Sequence, residues 1–368
     1  MSEQIIRVGI THGDINGVSY EILLKAFSDK RMTELFTPVI YGSSKSVSYH
    51  RKVLNHAPVR FNIIDDAKQA EADRINLVNC VKEEIKISIG EATPEAGEAS
   101  LIALETAVKD LQENNIDLLV TLPISKESIQ SETFNFPGHT EYLEDRFKGD
   151  DVKAMMIMAS DDLRVALVTT HLPISEVSSQ LTQEDIANKI KQFNQTLKRD
   201  FDIDIPRIAV LGLNPHAGEN GLLGKEEQEI IAPAIRQCQD EDIFCAGPFA
   251  ADGLFGSNNY RRFDGILAMY HDQGLIPFKT IAMGEGVNFT AGLPIVRTSP
   301  DHGTGYDIAG KGEASEDSFR KAIYTAIDIY RSRTRYDEAR ENPLPKLFFD
   351  RSKDEYVDLS KENNEDDK

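Results

Sequence analysis

The chain lacks tryptophan altogether and has little cysteine. Its 368 residues include three cysteines, Cys80, Cys238 and Cys245, and no two of them form a CxxC pair. An odd and sparse set argues against a disulfide framework and indicates buried apolar thiols in a reducing compartment. Long apolar runs are missing as well, since no stretch approaches the ~20 apolar residues that a spanning helix needs. We therefore expect a soluble, cytoplasmic protein.

Positive charge is also scarce. The chain has 41 Lys and Arg residues against 61 Asp and Glu residues, a formal net charge of −20. A field of this sign repels phosphate and disfavours generic binding to nucleic acid or to an anionic membrane, although a local basic pocket can still hold one small anion. The last residues, 351–368, are polar and strongly acidic. We predict that they form a solvated, disordered tail.

A third absence concerns nucleotide binding. The first apolar run, Ile5–Ile10, leads into Thr11-His-Gly-Asp-Ile-Asn-Gly17, which matches neither the GxGxxG fingerprint nor the GxxxxGK[ST] phosphate loop. If a dinucleotide binds to this protein, we expect it to bind without the ordinary Rossmann turn.

Short aliphatic runs alternate with longer amphipathic stretches along most of the chain. This alternation predicts an α/β protein with a largely parallel sheet. The strand-like runs are Ile5–Ile10, Pro38–Tyr41, Asp117–Leu122, Arg164–Thr169, Arg207–Leu213 and Gly265–Met269, and the helical patterns are Ala99–Asn114, Thr182–Lys198, Glu226–Asp240 and Ser315–Arg333.

Three of the eight histidines share one context. His171, His216 and His271 each come at or just after the end of an apolar strand-like run. Ligands of open parallel sheets bind beyond the carboxyl ends of the strands, so three imidazoles could converge there on one divalent ion. Three nitrogen ligands with an open fourth position are typical of a catalytic site, although imidazole alone does not fix the metal. Three separate, hydrogen-bonded loop histidines are the alternative.

A glycine-rich segment from Asn214 to Glu227 follows the second of these strands and opens a helix. It could be an anion site at a helix N-terminus. However, Glu226 and Glu227 would lie in the first turn and already complement the helix dipole. We therefore interpret the segment as a conformationally demanding loop that positions His216.

Other candidate anion ligands are His139 and Thr140, which begin a predicted helix, and the isolated cations Lys279 and Arg297. The helix start could face an anionic ligand with its free backbone N–H groups, or Thr140 could simply cap the helix. Near a metal at the strand ends, Lys279 and Arg297 could hold a carboxylate and a phosphate. Surface solvation is the alternative for each cation.

Eight ordered segments together resemble the 4-hydroxythreonine-4-phosphate dehydrogenase family of pyridoxine phosphate biosynthesis. They are Thr11-His-Gly-Asp14, Thr121-Leu-Pro-Ile-Ser-Lys126, Pro137-Gly-His-Thr-Glu141, Thr169-Thr-His-Leu-Pro173, Asn214-Pro-His-Ala-Gly-Glu219, Gly247-Pro-Phe-Ala-Ala-Asp252, Met269-Tyr-His-Asp-Gln-Gly274 and the run from Val287 to Gly312.

The resemblance implies an isocitrate/isopropylmalate dehydrogenase-like fold, in which two α/β domains enclose the active-site cleft and no Rossmann fingerprint is needed. By this analogy residues 1–130 plus 301–350 form the cofactor-side domain, and residues 131–300 form the metal, substrate and dimer-interface domain. It further implies a homodimer with the site at the subunit interface, so the metal histidines need not come from one chain.

The resemblance also implies roles for individual residues. The metal ligands would be His171, His216 and His271, holding Zn, Mg or Co. The substrate ligands would be His139, Thr140, Lys279, Asn288 and Arg297. The cofactor, NAD or NADP, would contact His302, Gly303, Thr304 and Asp307. Lys279 and Asp252 are the candidate catalytic groups, with a desolvated Lys279 as the proton-transfer residue.

The sequence departs from the family pattern at two places. Where the family has Gly-Asp-Pro-Ala-Gly-Ile-Gly-Pro-Glu, this chain has Gly-Asp-Ile-Asn-Gly-Val-Ser-Tyr-Glu at residues 13–21, and Gly305 replaces the usual alanine of the cofactor loop. The first change puts the contacts of the N-terminal loop in doubt. Neither change affects a metal or substrate position.

The chemistry that the resemblance implies is metal-assisted oxidation of the C3 hydroxyl of 4-phosphooxy-L-threonine by NAD(P)+, followed by loss of CO2. One alternative keeps the reaction and replaces the substrate by a four-carbon sugar-acid phosphate, threonate or erythronate 4-phosphate. Another is a phosphate acyltransferase of related fold, which would have no need of the three histidines. A third is a metabolite-binding protein without catalytic activity.

Overall fold

The computed structural model describes residues 5–55, 59–82, 85–147, 149 and 153–343. The strands in this part of the chain are β1 (Arg7–Thr11), β2 (Thr37–Gly42), β3 (Phe61–Ile64), β4 (Ile75–Asn79), β5 (Leu118–Thr121), β6 (Met155–Ala159), β7 (Arg164–Leu167), β8 (Ile208–Leu211), β9 (Cys245–Phe249), β10 (Gly265–Ala268), β11 (Val287–Ala291) and β12 (Arg297–Pro300). The helices are α1 (Ser19–Ala26), α2 (Ser44–Val53), α3 (Pro94–Gln112), α4 (His139–Arg146), α5 (Ile174–Gln180), α6 (Gln183–Arg199), α7 (Ala232–Gln239), α8 (Ala251–Gly256), α9 (His271–Ala282) and α10 (Asp317–Glu341). In the described ranges we find no helix with the length and apolar character needed to cross a bilayer.

All twelve strands join one sheet in the order β3-β4-β2-β1-β5-β12-β11-β6-β7-β10-β8-β9. The first six strands run parallel to one another, and so do β7, β10, β8 and β9. Between them, the pairings of β12 with β11, β11 with β6 and β6 with β7 are antiparallel. The largely parallel sheet is therefore confirmed, but its two halves point in opposite directions.

The antiparallel pairings in the middle of the sheet determine which strand ends lie at the same edge. Through the registers of β11 and β6, the start of β12 lies at the same edge as the carboxyl ends of β7, β10 and β8. Arg297, the first residue of β12, is therefore brought toward the segment that carries His171. Sequence patterns did not predict this, because three of the central strands, β6, β11 and β12, were missed.

Each helix and strand predicted from the sequence is present, although α3 begins at Pro94 instead of Ala99, α10 extends to Glu341 instead of Arg333, and the helix predicted for Glu226–Asp240 opens with a π-helical turn before α7. Helix α6, for example, begins after Thr182, whose side chain accepts a hydrogen bond from the Asp185 N–H, and it buries Ile186, Ile190 and Phe193 against the sheet. Of the cysteines, Cys238 and Cys245 are buried and Cys80 is half-buried, and all three are free thiols. The predicted tail, residues 351–368, lies outside the described residues, and the division into two domains stays a prediction.

The N-terminal loop that departs from the family pattern has specific contacts. The Asn16 side chain donates to the Glu91 carbonyl (2.9 Å) and accepts from the Ser88 N–H (2.9 Å). The Tyr20 hydroxyl accepts from the Ser43 N–H at 3.1 Å, and its ring stacks on His50 at 5.1 Å between centroids. The two new side chains therefore fasten the loop to its neighbours.

A buried histidine lies next to the same loop. His12 is fully buried, its ring packs against Tyr20, and its Nε2 lies 3.1 Å from the Ala99 carbonyl. Burial is the main reason that the pKa of His12 falls to about 4, and the neighbouring His50 lowers it further. The folded protein therefore holds His12 neutral at pH values where the unfolded chain, with an ordinary histidine pKa of about 6.5, is protonated.

This difference in pKa predicts a pH-dependent stability. Because the pKa of His12 is lower in the folded state, its contribution is complete above pH 6.5 and is lost as the pH falls from 6.5 toward 4. The loss attributable to this one residue between pH 7 and pH 5 is about 2 kcal/mol. Urea unfolding of wild type and His12→Gln at both pH values measures it. An equal decrease in both proteins would contradict the assignment.

Candidate active site

Most of the predicted site residues line one cleft of about 470 Å³ at the centre of the sheet. Its walls come from β5, β6, β7, β11 and β12, from the start of α4 and from α9. Eight of the residues singled out in the sequence line it: His139, Thr140, His171, Lys279, Asn288, Arg297, His302 and Gly303.

Arg297 is the cation at the base of the cleft. Its side chain is 3% exposed, and its guanidinium donates to the hydroxyl groups of Thr121 and Thr290. In the described part of the chain no carboxylate lies within 4 Å of it. Burial lowers its pKa to about 10, so it still carries its charge at neutral pH. A buried guanidinium held by two neutral hydroxyls is suited to bind an anionic ligand.

Helix α4 starts at the cleft and places His139 and Thr140 in its first turn. The N-cap residue of α4 is Gly138, and no side chain forms a capping hydrogen bond at this helix start. The alternative in which Thr140 caps the helix is therefore wrong. Burial and the positive charge of Arg297 hold the pKa of His139 well below its usual value. His139 is therefore a neutral ring beside free backbone N–H groups, an arrangement that favours an anion.

Three buried polar atoms in this cleft have no hydrogen-bond partner among the described residues. They are His139 Nε2, Asn288 Oδ1 and His302 Nε2. Buried polar atoms are nearly always hydrogen-bonded in folded proteins, and leaving one unpaired costs about 1–3 kcal/mol. Three such atoms facing one cavity indicate a polar ligand that supplies both donors and acceptors.

Lys279 lines the cleft, but its side chain is more exposed to solvent than the sequence led us to expect. Its Nζ forms a salt bridge with Asp301 Oδ1 at 3.0 Å, and its side chain is 53% exposed. The sequence analysis expected a desolvated lysine, and in the single chain this is wrong because the ammonium faces solvent and a carboxylate. Burial raises the pKa of Asp301 above its usual value despite the nearby Lys279.

The structure brings together two of the three strand-end histidines. His171 and His271 follow the adjacent strands β7 and β10, and their ring centroids are 6.3 Å apart. The Nδ1 atom of His271 lies 2.7 Å from Asp272 Oδ1, so its Nε2 is left for another ligand. Partial burial and the charge of Lys126 lower the pKa of His171, which favours the neutral form that binds metals.

The third histidine, His216, follows β8, which is the next strand beyond β10. It does not join the other two, and no cluster of three or more ligand-type side chains spaced for a metal ion occurs within the described residues. Two adjacent imidazoles, one with a carboxylate behind it, fit a divalent metal as a partial donor set. One chain does not complete the set.

His216 itself lies in an unusual backbone segment. Its φ is +52°, and the four residues that follow, up to Asn220, also have positive φ values. For residues with a Cβ, a left-handed turn costs about 1–2 kcal/mol each. The prediction of a conformationally demanding loop is therefore confirmed. The other expectation, that Glu227 merely complements the helix dipole, is incomplete because its carboxylate is buried and bonded to Asn214.

The remaining predicted residues do not line the cleft. Asp252 is exposed on α8, and Thr304 and Asp307 lie farther along the loop that begins at His302. A second cavity of about 650 Å³ adjoins the first, and the two share Lys279, Asp301, His302 and Gly303. Its wall contains Val18 and Ile308, so it is more apolar than the first cleft.

The sequence analysis missed several charged groups of the cleft. Lys126, Lys189, Glu141 and Glu144 all line it. Glu141 Oε1 lies 3.8 Å from His171 Nδ1. Lys126 and Glu141 belong to the matched segments and could have been singled out there, whereas Lys189 and Glu144 lie on ordinary amphipathic helices that give no such signal.

Known proteins are similar to this chain over most of its length. The profile of the family described as pyridoxal phosphate biosynthetic protein PdxA matches residues 34–326. The 4-hydroxythreonine-4-phosphate dehydrogenase of Bacteroides thetaiotaomicron is 57% identical over 354 residues, covering 96% of this chain and 97% of that protein. A putative D-threonate 4-phosphate dehydrogenase of Oceanobacillus iheyensis is 37% identical, covering 88% and 97% respectively.

The fold is shared as well. The crystal structure of 4-hydroxythreonine-4-phosphate dehydrogenase from Klebsiella pneumoniae superposes with a TM-score of 0.77 at 31% identity, covering 90% of this chain and 99% of that one. The similarity thus extends over nearly the whole length of both chains.

Proposed function

The chain belongs to the family of pyridoxal phosphate biosynthetic proteins PdxA, and from this premise we propose that it oxidises 4-phosphooxy-L-threonine with NAD(P)+. The product, 2-amino-3-oxo-4-phosphooxybutanoate, then loses CO2 to give 3-amino-2-oxopropyl phosphate. The observation that carries the proposal is the cleft in which a buried Arg297 and three unpaired buried polar atoms meet. A small substrate with a phosphate, a carboxylate and hydrogen-bonding groups satisfies them together.

We assign substrate binding to His139, Thr140, Lys279, Asn288 and Arg297, all of which line the cleft. Arg297 supplies a fixed positive charge at the base for an oxyanion of the substrate. The start of α4 adds backbone N–H groups for a second anionic group. The Asn288 carboxamide oxygen, which is unpaired in the described chain, accepts a hydrogen bond from a substrate hydroxyl or ammonium group.

A divalent ion, Zn, Mg or Co, is part of this proposal. His171 and His271 would hold it as neighbours on adjacent strands, with Asp272 behind His271. The set would be completed from His216 and from a second copy of the chain, since one chain does not bring the three imidazoles together. When bound, the ion supplies Lewis-acid chemistry that stabilises negative charge on the substrate oxygen.

The cofactor is assigned to the loop of His302, Gly303, Thr304 and Asp307. The second cavity, which shares His302 and Gly303 with the substrate cleft, gives a nicotinamide dinucleotide a place next to the substrate. The N-terminal loop at residues 13–21 is hydrogen-bonded to the proposed cofactor loop. The Val18 N–H donates to the Thr304 carbonyl at 2.9 Å, and the Tyr306 hydroxyl donates to Asp14 Oδ2 at 2.8 Å. We further propose that the enzyme is a cytoplasmic homodimer without a nucleic-acid or membrane partner.

Lys279 is the proposed proton-transfer residue, with Asp301 as its partner and Asp252 as a more distant acidic group. We expect Lys279→Met to lower kcat by about 100-fold, because a positioned acid or base contributes on the order of 100-fold or more. Steady-state rates and the binding constant of the substrate, measured on the same preparation, separate chemistry from binding. Unchanged turnover in Lys279→Met would remove the residue from the mechanism.

The alternative substrate is D-threonate 4-phosphate, which is favoured by the 37% identical relative of that name. The two substrates differ by an ammonium or a hydroxyl group at C2. Glu141 and Glu144 line the cleft and are the proposed partners of the ammonium group, because Asp301 is already paired with Lys279. Values of kcat/KM for both compounds, measured side by side, decide the matter: a higher value for 4-phosphooxy-L-threonine supports the proposal, and a higher value for the threonate contradicts it.

A further inference from the structure

The left-handed segment from His216 to Asn220 needs a structural cause. Its residues include four with a Cβ, for which this backbone conformation is unfavourable, and one glycine, Gly218. Strained segments of this kind persist only where the surrounding structure holds them in place, and they are found mostly at functional sites. The contacts around the segment identify what holds it.

One buried carboxylate, that of Glu227, contacts Asn214 before the segment and approaches Gly218 at its centre. The side chain is 3% exposed. Its Oε1 atom accepts from the Asn214 backbone N–H at 2.7 Å, and its Oε2 atom accepts from the Asn214 side-chain amide at 3.0 Å. The same amide also donates to Glu226 Oε2 at 2.8 Å. Asn214, two residues before His216, is therefore fixed by its backbone and by its side chain.

Two glycines make room for the same carboxylate. A Cβ placed on Gly212 would lie 3.0 Å from Glu227 Oε1, and a Cβ placed on Gly218 would lie 2.6 Å from Glu227 Oε2. Glu227 thus lies between the end of β8 and the left-handed turn, with contacts two residues before His216 and two residues after it.

The helix that carries Glu227 is distorted at this point. Residues Glu227–Ile231 form a π-helical turn, and the N–H of Ala232 bonds to the Glu227 carbonyl. Single π-helical turns inserted in α-helices are often found at functional sites, because they redirect the side chains of the helix. Here the distorted turn begins with the residue that contacts the strained segment.

We propose that Glu227 is a positioning residue for His216, which it acts on by holding the left-handed turn through Asn214 and Gly218. The inference rests on the proposed metal-binding role of His216. These contacts of Glu227 with Asn214 and Gly218, which we call the Glu227 clamp, hold the His216 imidazole in a fixed orientation at the end of β8. Metal binding then requires no rearrangement of the loop. Glu227 itself does not contact the metal or the substrate in this account.

Metal affinity tests the proposal with a matched pair of variants. Glu227→Gln keeps the size of the side chain but places an NH2 group against the Asn214 amide. Glu229→Gln makes the same change of charge on an exposed residue of the same turn. We expect the Kd for Zn2+ or Co2+, measured by competition with a chromophoric chelator, to rise about 10-fold in Glu227→Gln, since outer residues of metal sites affect affinity by about 10–100-fold. Glu229→Gln should bind like the wild type. Equal metal affinity in Glu227→Gln and wild type would overturn the proposal.

Hydrogen exchange of the metal-free protein separates this inference from the proposed function. We expect faster amide exchange in the peptide that covers residues 214–223 of Glu227→Gln, and no change in β1 or β2. If wild type binds no divalent metal, the metal role of His216 fails, and the exchange result alone then decides whether Glu227 holds the turn. Wild-type exchange in that peptide would show that it does not.

Discussion

Replacing Arg297 with methionine is expected to lower kcat/KM for 4-phosphooxy-L-threonine by about 1,000-fold. The guanidinium is buried, is held by Thr121 and Thr290, and has no carboxylate partner among the described residues. The charge of Glu141 in the same cleft favours the charged guanidinium, but no carboxylate of the described residues pairs with it directly, so a ligand anion can. Losing one member of a buried charge pair costs about 2–5 kcal/mol, and about 4 kcal/mol corresponds to 1,000-fold.

The conservative variant Arg297→Lys tests why the loss occurs. Lysine keeps the charge but lacks the planar guanidinium fork that donates to both threonines in a fixed geometry, so we expect a loss of about 10–100-fold, intermediate between wild type and Arg297→Met. Thermal unfolding of each variant controls for folding. A kcat/KM within threefold of wild type for Arg297→Met would mean that the anion binds elsewhere.

The second large effect is expected when His171 or His271, the paired strand-end histidines, is replaced. If His271 is a metal ligand as proposed, His271→Ala should lower the metal content and reduce kcat by at least about 1,000-fold, more than the 10–100-fold loss typical of outer residues, because a direct ligand is removed. His171→Ala should behave in the same way, since the two rings are 6.3 Å apart on adjacent strands. Metal content and activity are measured on the same samples.

His12→Gln is the matched control for the histidine variants. His12 is buried beside the N-terminal loop and does not line the cleft. It should keep its metal and most of its activity at pH 7.5. Retention of metal and turnover by both His171→Ala and His271→Ala would exclude the pair from the metal site.

Much of the architecture could be predicted from the sequence because it depends on local patterns. The aliphatic runs and helix signals located β1, β5, β7, β8, β10 and the long helices. The strand-end position predicted that His171, His216 and His271 come together, and the structure pairs only His171 and His271. Strands β11 and β12 were missed because their inward side chains, such as Asn288, Thr290 and Ser299, are polar where they face the cleft. A hydrophobic pattern does not detect strands of this kind.

Other features of the site depend on pairings that are distant in the sequence. The parallel pairing of β12 with β5 brings Arg297 next to Thr121, a separation of 176 residues, and no local pattern contains that information. The salt bridge between Lys279 and Asp301 is likewise a tertiary contact that no local pattern predicts. The clamp of Glu227 on Asn214 spans only 13 residues, but it depends on a left-handed turn and a π-helical turn that residue propensities do not predict.

The most direct test of the central claim is NADH or NADPH formation from 4-phosphooxy-L-threonine by wild type and His216→Ala, each with and without a chelator. The account predicts turnover by wild type that is lost on chelation and restored by a divalent metal, and little turnover by His216→Ala under any condition. Turnover that is indifferent to the chelator and to the loss of His216 would contradict it.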